Sequence, residues 1–391
     1  MKISLVETLH ADAGWRTFSF LKIATADGIV GWSEFNESFG TAGLGKVIEA
    51  LGQSLIGQDP RRIGLIISTL YPRIVTARSG LNHLAIGAIE NALIDIKAKS
   101  LGVPVADLFG GAIRTRIPLY WSHCATYRTR HAELCGTPAL RTYDDLARLG
   151  EEAKRRGFRG LKTNILLPAN DGFTSFTPGF GKSPGFPELN WSPAVLEAAR
   201  RQLQTFRDAI GPEMGLYLDI NFHFKTEGFR RVAEAVAPFH LSWLELDTYD
   251  PDALAFIRQG APCPIASCEV LTSRREFKRY FETYAVDVAI IDVPWNGIAE
   301  AVKIAAMAEA YEINVAPHNF YGHLSSMMSA HFSAVVPNFR IMEIDIDSVR
   351  WRDEFYVGLP VIEGGELVLP DRPGWGIEVD EAAVRARPPK G

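Results

Sequence analysis

The chain has 391 residues, of which 47% are hydrophobic and 22% are charged, and it carries a formal net charge of -5 at pH 7. A chain of this length and composition folds as a globular protein with about two domains, or as one barrel with additions. The negative balance supplies no basic surface for polyphosphate, so RNA and DNA are excluded as expected partners.

The first third of the chain predicts a small α+β domain over residues 1–115. Its opening segment, M-K-I-S-L-V-E-T-L-H, lacks the long apolar core of a signal peptide, and no later stretch is long and apolar enough to span a bilayer. A cytoplasmic location away from membranes is therefore expected. Three strands are predicted, at I-S-L-V-E-T-L, F-S-F-L-K-I-A-T and I-V-G-W-S-E. A helix is predicted over 81–100, with an apolar stripe of Ala85, Ile89, Ala92 and Ile96.

From about residue 117 the sequence alternates between short apolar runs and helix-sized stretches. Eight strand candidates are I-P-L-Y-W, F-R-G-L-K-T-N, L-Y-L-D-I-N, W-L-E-L-D, P-I-A-S-C-E, V-A-I-I-D, I-N-V-A-P-H and F-R-I-M-E. The helical candidates between them lie near 143–156, 195–210, 226–236, 251–259, 273–284, 297–310 and 324–335. This alternation predicts an α/β fold, a (β/α)₈ TIM-type barrel over 116–354 with the α+β domain as its cap. The Gly- and Pro-rich tail, 355–391, is predicted to fold back onto the capping domain.

One segment, residues 167–192, interrupts this alternation. It carries four Phe among Gly, Pro, Ser and Asn residues and predicts a long loop. A loop of this length in a compact barrel is either a lid over a site or a packed surface or subunit contact. The sequence leaves both open.

Three acidic residues, Asp219, Glu245 and Glu269, each end a short apolar run. They are 26 and 24 residues apart, which is one strand-plus-helix repeat in each case. The carboxyl groups therefore come from adjacent strands and converge at one mouth of the barrel. Buried acids need a partner and repel one another when close together. A hard divalent cation is the simplest partner, which predicts a magnesium site, with manganese as an alternative.

Polar side chains also end the other predicted strands. Beyond the three acids, the set consists of Lys162, Asn164, Asn221, Asp292, His318 and Glu343. Every strand from the second to the eighth contributes a member, which favours a functional site, because barrel enzymes take catalytic residues from several strand ends. Asp292 and His318 are again one repeat apart and are expected to lie side by side.

At these positions the sequence resembles the mandelate racemase branch of the enolase superfamily. The likeness rests on the acidic triad, a lysine ending the second barrel strand, and an acid and a histidine ending the sixth and seventh. A second, independent part is A-I-G-A-I-E-N-A-L-I-D-I-K-A-K-S-L-G-V-P-V-A-D-L-F-G, residues 85–110, which is similar to that family's helical signature. G-W-S-E, residues 31–34, is similar to its front-domain turn.

The resemblance implies a metal-assisted removal of the proton α to a carboxylate, with stabilisation of the enediolate that remains. Enolase-superfamily sites use a Lys or His base together with magnesium for this purpose, and the cation acts as a Lewis acid. The resemblance implies that the metal ligands are Asp219, Glu245 and Glu269. His318 is the general base, and Asp292 orients its ring.

The resemblance also implies contacts to the substrate. Lys162 would neutralise the substrate carboxylate, and Glu343 would form a hydrogen bond to it, although a capping or surface role for Glu343 stays open. Asn221 matches a position near the substrate. A capping-domain loop holds Trp15 and Arg16, and Arg16 could pair with the distal carboxylate of a diacid substrate. A solvated loop arginine is the alternative.

Asn164 stands where the family has the second lysine of a Lys-x-Lys pair. An amide cannot take up a proton at neutral pH, which counts against racemisation with a base on each face of the intermediate. One base that removes the α-proton and then helps a β-hydroxyl to depart performs a dehydration. The resemblance therefore favours a sugar-acid dehydratase that forms a 2-keto-3-deoxy acid. His223 is either an additional acid or a structural histidine.

Alternative functions stay open. An epimerase, racemase or cycloisomerase would use the same enediolate, with His223 or Lys162 as a second acid, and Asn164 would suit a degenerate barrel without catalysis. A two-metal hydrolase is disfavoured, because only His318 lies beside the triad at a strand end. In each catalytic reading the partner is a small carboxylate, and the resemblance implies a homo-oligomer. The dipeptide L-D after Glu245 departs from the family pattern and is expected to reshape the pocket.

Overall fold

The computed structural model describes residues 1–180, 183–185 and 189–390. Its first domain is a three-stranded antiparallel sheet packed against helices. The strands, in the order β1-β2-β3, are β1 (Ile3–Asp12), β2 (Thr17–Thr25) and β3 (Val30–Phe35). The helices are α1 (Leu44–Gly52), α2 (Ile63–Leu70) and α3 (Leu81–Leu101). The predicted α+β cap is confirmed.

Helix α3 is buried on nearly every side, because it packs against both the antiparallel sheet and the second domain. The predicted apolar stripe is buried, but so are Asn91 and Asp95 on other faces. Close approach on one side requires Gly87, since a Cβ there would lie 2.5 Å from the carbonyl oxygen of Trp295. The prediction of one buried stripe is therefore too narrow, because α3 is buried on one side by the antiparallel sheet and on the other by the second domain.

Eight parallel strands close the second domain into a barrel. They are β4 (Arg116–Ser122), β5 (Gly160–Thr163), β8 (Gly215–Asp219), β9 (Trp243–Glu245), β10 (Ile265–Ser267), β11 (Val288–Asp292), β12 (Asn314–His318) and β13 (Met342–Asp345). From β4 to β12 successive barrel strands pair in chain order, and β13 pairs with β4. The seam between β12 and β13 is held by an isolated bridge between Val315 and Phe339. The barrel prediction is confirmed, although Glu343 lies within its strand and not at the end.

The helices of the second domain surround the barrel. They are α4 (Thr126–Cys135), α5 (Tyr143–Arg155), α6 (Pro193–Ile210), α7 (Thr226–Val236), α8 (Pro251–Gly260), α9 (Ser273–Glu282), α10 (Val293–Asn296), α11 (Ile298–Glu309) and α12 (His323–Val335). Helices α4 and α10 were not predicted, because α4 has no apolar stripe and α10 is a single turn. Along the described chain, no helix combines the length and apolar character needed to cross a bilayer.

The segment 167–192 begins as a β-hairpin, which corrects the prediction of a continuous loop. Strands β6 (Leu166–Ala169) and β7 (Gly172–Ser175) pair antiparallel. The missed signal is N-D-G between two short runs, a turn sequence typical of hairpins. Phe176 and Phe180 pack against the ring of His223, with centroids 5.7 and 6.0 Å away. Residues 181–182 and 186–188, which include the fourth Phe, lie outside the described residues.

The carboxyl-terminal tail contacts both domains. Its elements are β14 (Tyr356–Val357), β15 (Val361–Glu363), β16 (Glu366–Val368), β17 (Glu378–Val379) and α13 (Glu381–Ala386). Strand β16 pairs with β4 of the barrel. On the other side, Arg385 bonds to Glu7 of β1 at 2.7 Å, and the indole N–H of Trp375 donates to the carbonyl oxygen of Trp32 at 2.9 Å. The tail therefore links the barrel to the capping sheet.

Glu34, near the end of β3, reaches the start of a barrel helix. Its Oε1 accepts the N–H of Gly322 at 2.6 Å, and its Oε2 accepts the N–H of Ser325 at 2.9 Å. The carboxyl group thus satisfies free N–H groups at the start of α12. Position 322 must stay small, because a Cβ there would lie 2.0 Å from the hydroxyl of Tyr356. The capping domain therefore fixes the turn between β12 and α12.

A second buried acid, Glu90 of α3, is expected to make stability depend on pH. Its Oε2 accepts the N–H of Ala299 at 3.1 Å. Burial raises the pKa of Glu90 from 4.5 to about 7, even though the charge of Lys303 lowers it. The folded state therefore keeps a proton that the unfolded chain releases above pH 4.5. This contribution to stability is present below that pH and is lost as the pH rises through about 7.

We expect Glu90→Gln to remove a stability loss of about 2 to 3 kcal/mol between pH 5 and pH 8. The measurement is the free energy of unfolding in urea of both proteins at the two pH values. The control is Glu309→Gln, which changes an exposed acid of α11. If Glu90→Gln keeps the full pH dependence of the parent protein, Glu90 is not the proton carrier.

Candidate active site

Lys162 stands among acidic groups at the carboxyl-terminal mouth of the barrel. Its Nζ lies 2.8 Å from Glu245 Oε1, 2.8 Å from Glu343 Oε1 and 4.0 Å from Asp219 Oδ2. These four side chains come from β5, β8, β9 and β13, and closure of the barrel brings them together. Burial acts to lower the pKa of Lys162, but the charges of Glu245 and Glu343 hold it well above its ordinary value. The lysine is therefore charged.

Asp219 is held by the two asparagines that the sequence singled out. The backbone N–H and the side-chain amide of Asn221 donate to Asp219 Oδ1 at 3.0 and 2.9 Å. The amide nitrogen of Asn164 lies 3.3 Å from Asp219 Oδ2. Asn221 has a positive φ of 39°, a conformation that asparagine tolerates better than most residues. Both amides therefore orient an acid of the triad.

Glu245 rests on an aromatic layer that fills the barrel beneath the mouth. The indole N–H of Trp243 donates to Glu245 Oε2 at 2.8 Å. Trp243 packs on Tyr217 and Tyr120, with ring centroids 4.2 and 5.5 Å away. Glu245 is fully buried, so its charge requires a partner within the protein or a bound cation.

His318, the last residue of β12, pairs with Asp292, the last residue of β11. His318 Nδ1 lies 2.8 Å from Asp292 Oδ2. The hydroxyl of Tyr321 donates to the same oxygen at 2.5 Å, and the N–H of Trp295 donates to Oδ1 at 2.7 Å. Because an ionised Asp292 can only accept, we assign a ring hydrogen to Nδ1, so Nε2 is the ring nitrogen that is available for proton transfer. Tyr321 was not predicted, and its only signal was its place three residues after His318.

The other ring nitrogen of His318 faces the third acid of the triad. His318 Nε2 lies 3.5 Å from Glu269 Oε2. Burial acts to lower the pKa of His318, but the charge of Glu269 and the hydrogen bond to Asp292 raise it to about 10. The pKa of Glu269 is raised well above its usual value by burial, against the lowering effect of His318. Their protonation states therefore depend on each other.

The mouth carries more acid than base. Among the described residues, its centre gathers Lys162, His318 and six buried carboxyl groups, which are those of Asp219, Glu245, Asp247, Glu269, Asp292 and Glu343. Oxygen donors with excess negative charge fit a hard divalent cation. Within the described ranges, no three His, Cys, Asp or Glu side chains are already gathered around a common point. The oxygens of the triad are instead engaged by Lys162, the asparagines, Trp243 and His318.

Asp247 is a further acid of the mouth, to which no role was predicted from the sequence. Its Oδ1 accepts the hydroxyl of Ser267 at 3.1 Å and the N–H of Cys268 at 3.3 Å. Its Oδ2 has no hydrogen-bond partner among the described residues. Burial, together with the charges of Asp219 and Glu245, raises the pKa of Asp247 to about 7. The available signal was the L-D dipeptide, which places this acid two residues after Glu245.

His223 lies in the loop after β8 and packs against the segment that follows β7. Its Nδ1 lies 3.0 Å from the carbonyl oxygen of Pro178, and its Nε2 has no partner in the described part of the chain. Burial lowers the pKa of His223, so the ring is neutral. A neutral ring held by a backbone carbonyl fits a structural role better than that of an acid.

The loop between β1 and β2 reaches the mouth, but its arginine is already paired. Arg16 Nη2 donates to Asp345 Oδ2 at 3.0 Å, and Nη1 donates to the carbonyl oxygen of Phe320. Trp15 stacks on His131, with ring centroids 4.4 Å apart. The guanidinium predicted to pair with a distal substrate carboxylate instead joins the capping loop to β13, because an acid of the protein occupies the partner position.

The fold and this site define a class of protein. Residues 145–383 match the family described as enolase C-terminal domain-like, and residues 7–110 match the mandelate racemase/muconate lactonizing enzyme N-terminal domain. The chain therefore belongs to the mandelate racemase/muconate lactonizing enzyme family of the enolase superfamily, and it is an enzyme. The resemblance found in the sequence is confirmed.

Individual relatives carry different names. The D-galactonate dehydratase of Ralstonia nicotianae is 29% identical over 401 residues, which cover 99% of this chain and 94% of the relative. A Burkholderia xenovorans protein is provisionally named an L-alanine-DL-glutamate epimerase, and its solved structure is bound to magnesium and fumarate. It is 47% identical with a TM-score of 0.97, and the match covers 100% of this chain and 96% of that protein. A provisionally named galactarate dehydratase of Agrobacterium radiobacter, bound to sodium and L-malate, is 27% identical with a TM-score of 0.82, covering 99% and 95%.

Proposed function

We propose that this enzyme dehydrates a sugar acid. It removes the proton α to the carboxylate and expels the β-hydroxyl as water, which leaves a 2-keto-3-deoxy acid. The observation that carries the proposal is the His318–Asp292 pair, 2.8 Å apart, beside a cluster of buried carboxyl groups. The similarity to D-galactonate dehydratase supports this reaction.

Magnesium is the proposed cofactor, with manganese as a substitute. Asp219, Glu245 and Glu269 would hold the ion, because they supply the hard oxygen donors that it prefers. The magnesium bound to the Burkholderia relative supports this choice. When bound, the cation supplies Lewis-acid stabilisation of the negative charge that develops on the substrate carboxylate.

His318 is the proposed general base. In the protein alone, the charge of Glu269 helps to hold the pKa of His318 at about 10, which keeps the ring protonated at neutral pH. A cation held by Glu269 would compensate that charge and would lower the pKa of His318 toward the range in which Nε2 can accept a proton. Asp292 then stabilises the imidazolium. The same ring can return its proton to the departing hydroxyl oxygen.

Lys162 is proposed to bind the substrate carboxylate, and Glu343 to position the lysine. Burial acts to raise the pKa of Glu343, but the charge of Lys162 lowers it, so the carboxyl group is ionised. An ionised Glu343 cannot donate to a substrate carboxylate. Instead it accepts from Lys162 at 2.8 Å and from the N–H of Asn319 at 2.7 Å. This replaces the expected direct contact between Glu343 and the substrate.

Epimerisation is the second candidate. The name of the 47% identical Burkholderia protein favours it. It requires a second proton donor on the opposite face of the intermediate. Asn164 cannot supply one, Lys162 is bonded to two carboxyl groups, and His223 is held by a backbone carbonyl. These contacts support dehydration over epimerisation.

The test is a panel of aldonic and aldaric acids incubated with magnesium in D₂O and followed by proton NMR and by 2-keto acid formation. We expect one member of the panel to lose its β-hydroxyl and form a 2-keto-3-deoxy acid. Deuterium at the α carbon with every hydroxyl retained would instead establish epimerisation. If none of the test compounds changes and the protein binds no divalent cation, the barrel has no catalytic function.

A further inference from the structure

We propose that Asp247 is a fourth acidic member of the divalent-cation site and strengthens cation binding. This inference rests on the proposed function, because it takes Asp219, Glu245 and Glu269 as the groups that hold the ion. It adds a residue that lies outside this triad and that belongs to the L-D dipeptide, which departs from the family pattern.

The backbone places the carboxyl group of Asp247 on the inner side of the barrel. The chain stays extended beyond β9, since the N–H of Leu246 donates to the carbonyl oxygen of Ala266 and the N–H of Asp247 donates to that of Asn221, both at 3.1 Å. Residues two apart on an extended strand point to the same side. Asp247 therefore shares the side of Glu245, one step closer to the opening of the mouth.

The two carboxylate oxygens of Asp247 have different surroundings. Oδ1 is fixed by the hydroxyl of Ser267 and the N–H of Cys268, whereas Oδ2 has no hydrogen-bond partner within the described ranges. The residue is only 2% exposed. A buried carboxylate oxygen without a donor costs free energy. The lysine of the mouth does not satisfy it, because Lys162 bonds to Glu245 and Glu343.

Asp287, which precedes β11, is an aspartate of the same barrel that has a structural role. Its Oδ1 accepts Arg258 at 2.7 and 2.9 Å, and its Oδ2 accepts the N–H of Ile265 at 2.9 Å. Both oxygens are therefore used within the protein. Asp247 keeps one oxygen fixed and one available among other acids, and a cation is the ligand that suits such a position.

The experiment is a calorimetric titration with Mg²⁺ in the absence of substrate, on the wild type, Asp247→Asn and Asp252→Asn. Asp252 is the matched control, because the same charge is removed from the exposed first turn of α8. We expect Asp247→Asn to raise the Kd for Mg²⁺ at least about tenfold. The control should leave it unchanged within about twofold, and Asp247→Glu, which keeps the charge, should restore most of the affinity.

Melting curves without Mg²⁺ provide the second readout. Asp247→Asn removes an unpaired buried charge, so we expect it to melt no lower than the wild type, while the rise in Tm on adding Mg²⁺ becomes smaller. If Asp247→Asn melts at a lower temperature than the wild type, the Kd for Mg²⁺ is judged on Ser267→Ala instead. That variant removes only the hydroxyl that orients Asp247, and it should weaken Mg²⁺ binding several-fold.

Two outcomes overturn the inference. If Asp247→Asn binds Mg²⁺ with the wild-type Kd, Asp247 is not part of the cation site. The same conclusion follows from a wild-type Kd in Ser267→Ala when that variant is used instead. A rise in KM with an unchanged Kd for Mg²⁺ would show that Oδ2 accepts a substrate hydroxyl instead. A wild-type protein that binds no Mg²⁺ is a different result, because it overturns the proposed function itself.

Discussion

Replacing His318 by asparagine is expected to lower turnover of the proposed sugar-acid substrate by about 10²- to 10⁴-fold. The amide can keep a hydrogen bond to Asp292, but it cannot take up a proton. Exchange of the α-hydrogen should fall by the same factor, because dehydration and epimerisation both begin with its removal. Proton NMR in D₂O measures both quantities in one sample.

The matched control is His240→Asn. His240 is exposed, precedes β9 at the opposite end of the barrel, and has a φ of 49° that asparagine tolerates. It should keep full turnover. His318→Asn should still gain stability from magnesium, since the acidic triad is unchanged. A His318→Asn protein with more than a tenth of wild-type turnover would mean that another group takes the α-proton.

Glu245→Gln is expected to abolish stabilisation by magnesium and to lower turnover about a thousandfold. Glu245 is fully buried and bonded to Lys162 and Trp243, and a neutral amide cannot supply the negative oxygen that a hard cation prefers. Lewis-acid stabilisation contributes several kcal/mol, and about 1.4 kcal/mol corresponds to a tenfold change in rate. Chelation of the wild type with EDTA should have the same effect, and added magnesium should reverse it.

Thermal unfolding with and without magnesium checks this prediction separately from activity. Magnesium at 100 times its Kd should add about 2.7 kcal/mol to the stability of the wild type and nothing to that of Glu245→Gln. Glu309→Gln, an exposed acid-to-amide change on α11, should respond like the wild type. A chelated wild-type enzyme that keeps its turnover would exclude a catalytic cation.

The positions of the site residues followed from the sequence because strand ends and repeat spacing fix them. One strand and one helix per repeat bring consecutive strand ends to the same edge, and parallel pairing then sets the register. In the structure Asp219 pairs with Glu245, and Asp292 pairs with His318. Spacing alone was sufficient to predict these neighbours.

The partners of the side chains could not be predicted in the same way. Arg16 and Asp345 are 329 positions apart and meet only when the capping loop packs on the closed barrel. Lys162 bonds to Glu245 and Glu343 because closure brings the second, fourth and eighth strands to one centre. Such contacts depend on rotamers and domain packing, which periodicity does not encode. Tyr321 was missed for the same reason.

The contact of Glu34 with the start of α12 limits how this enzyme can be recombined. A chimera that takes its first 115 residues from a relative must bring an acid to this position, or the turn that carries Phe320 and Tyr321 loses its anchor. Such a chimera would retain every residue of the barrel, but the hydrogen bond from Tyr321 to Asp292 would no longer be fixed in place. To keep turnover, the capping domain and the barrel therefore have to be exchanged or diversified together.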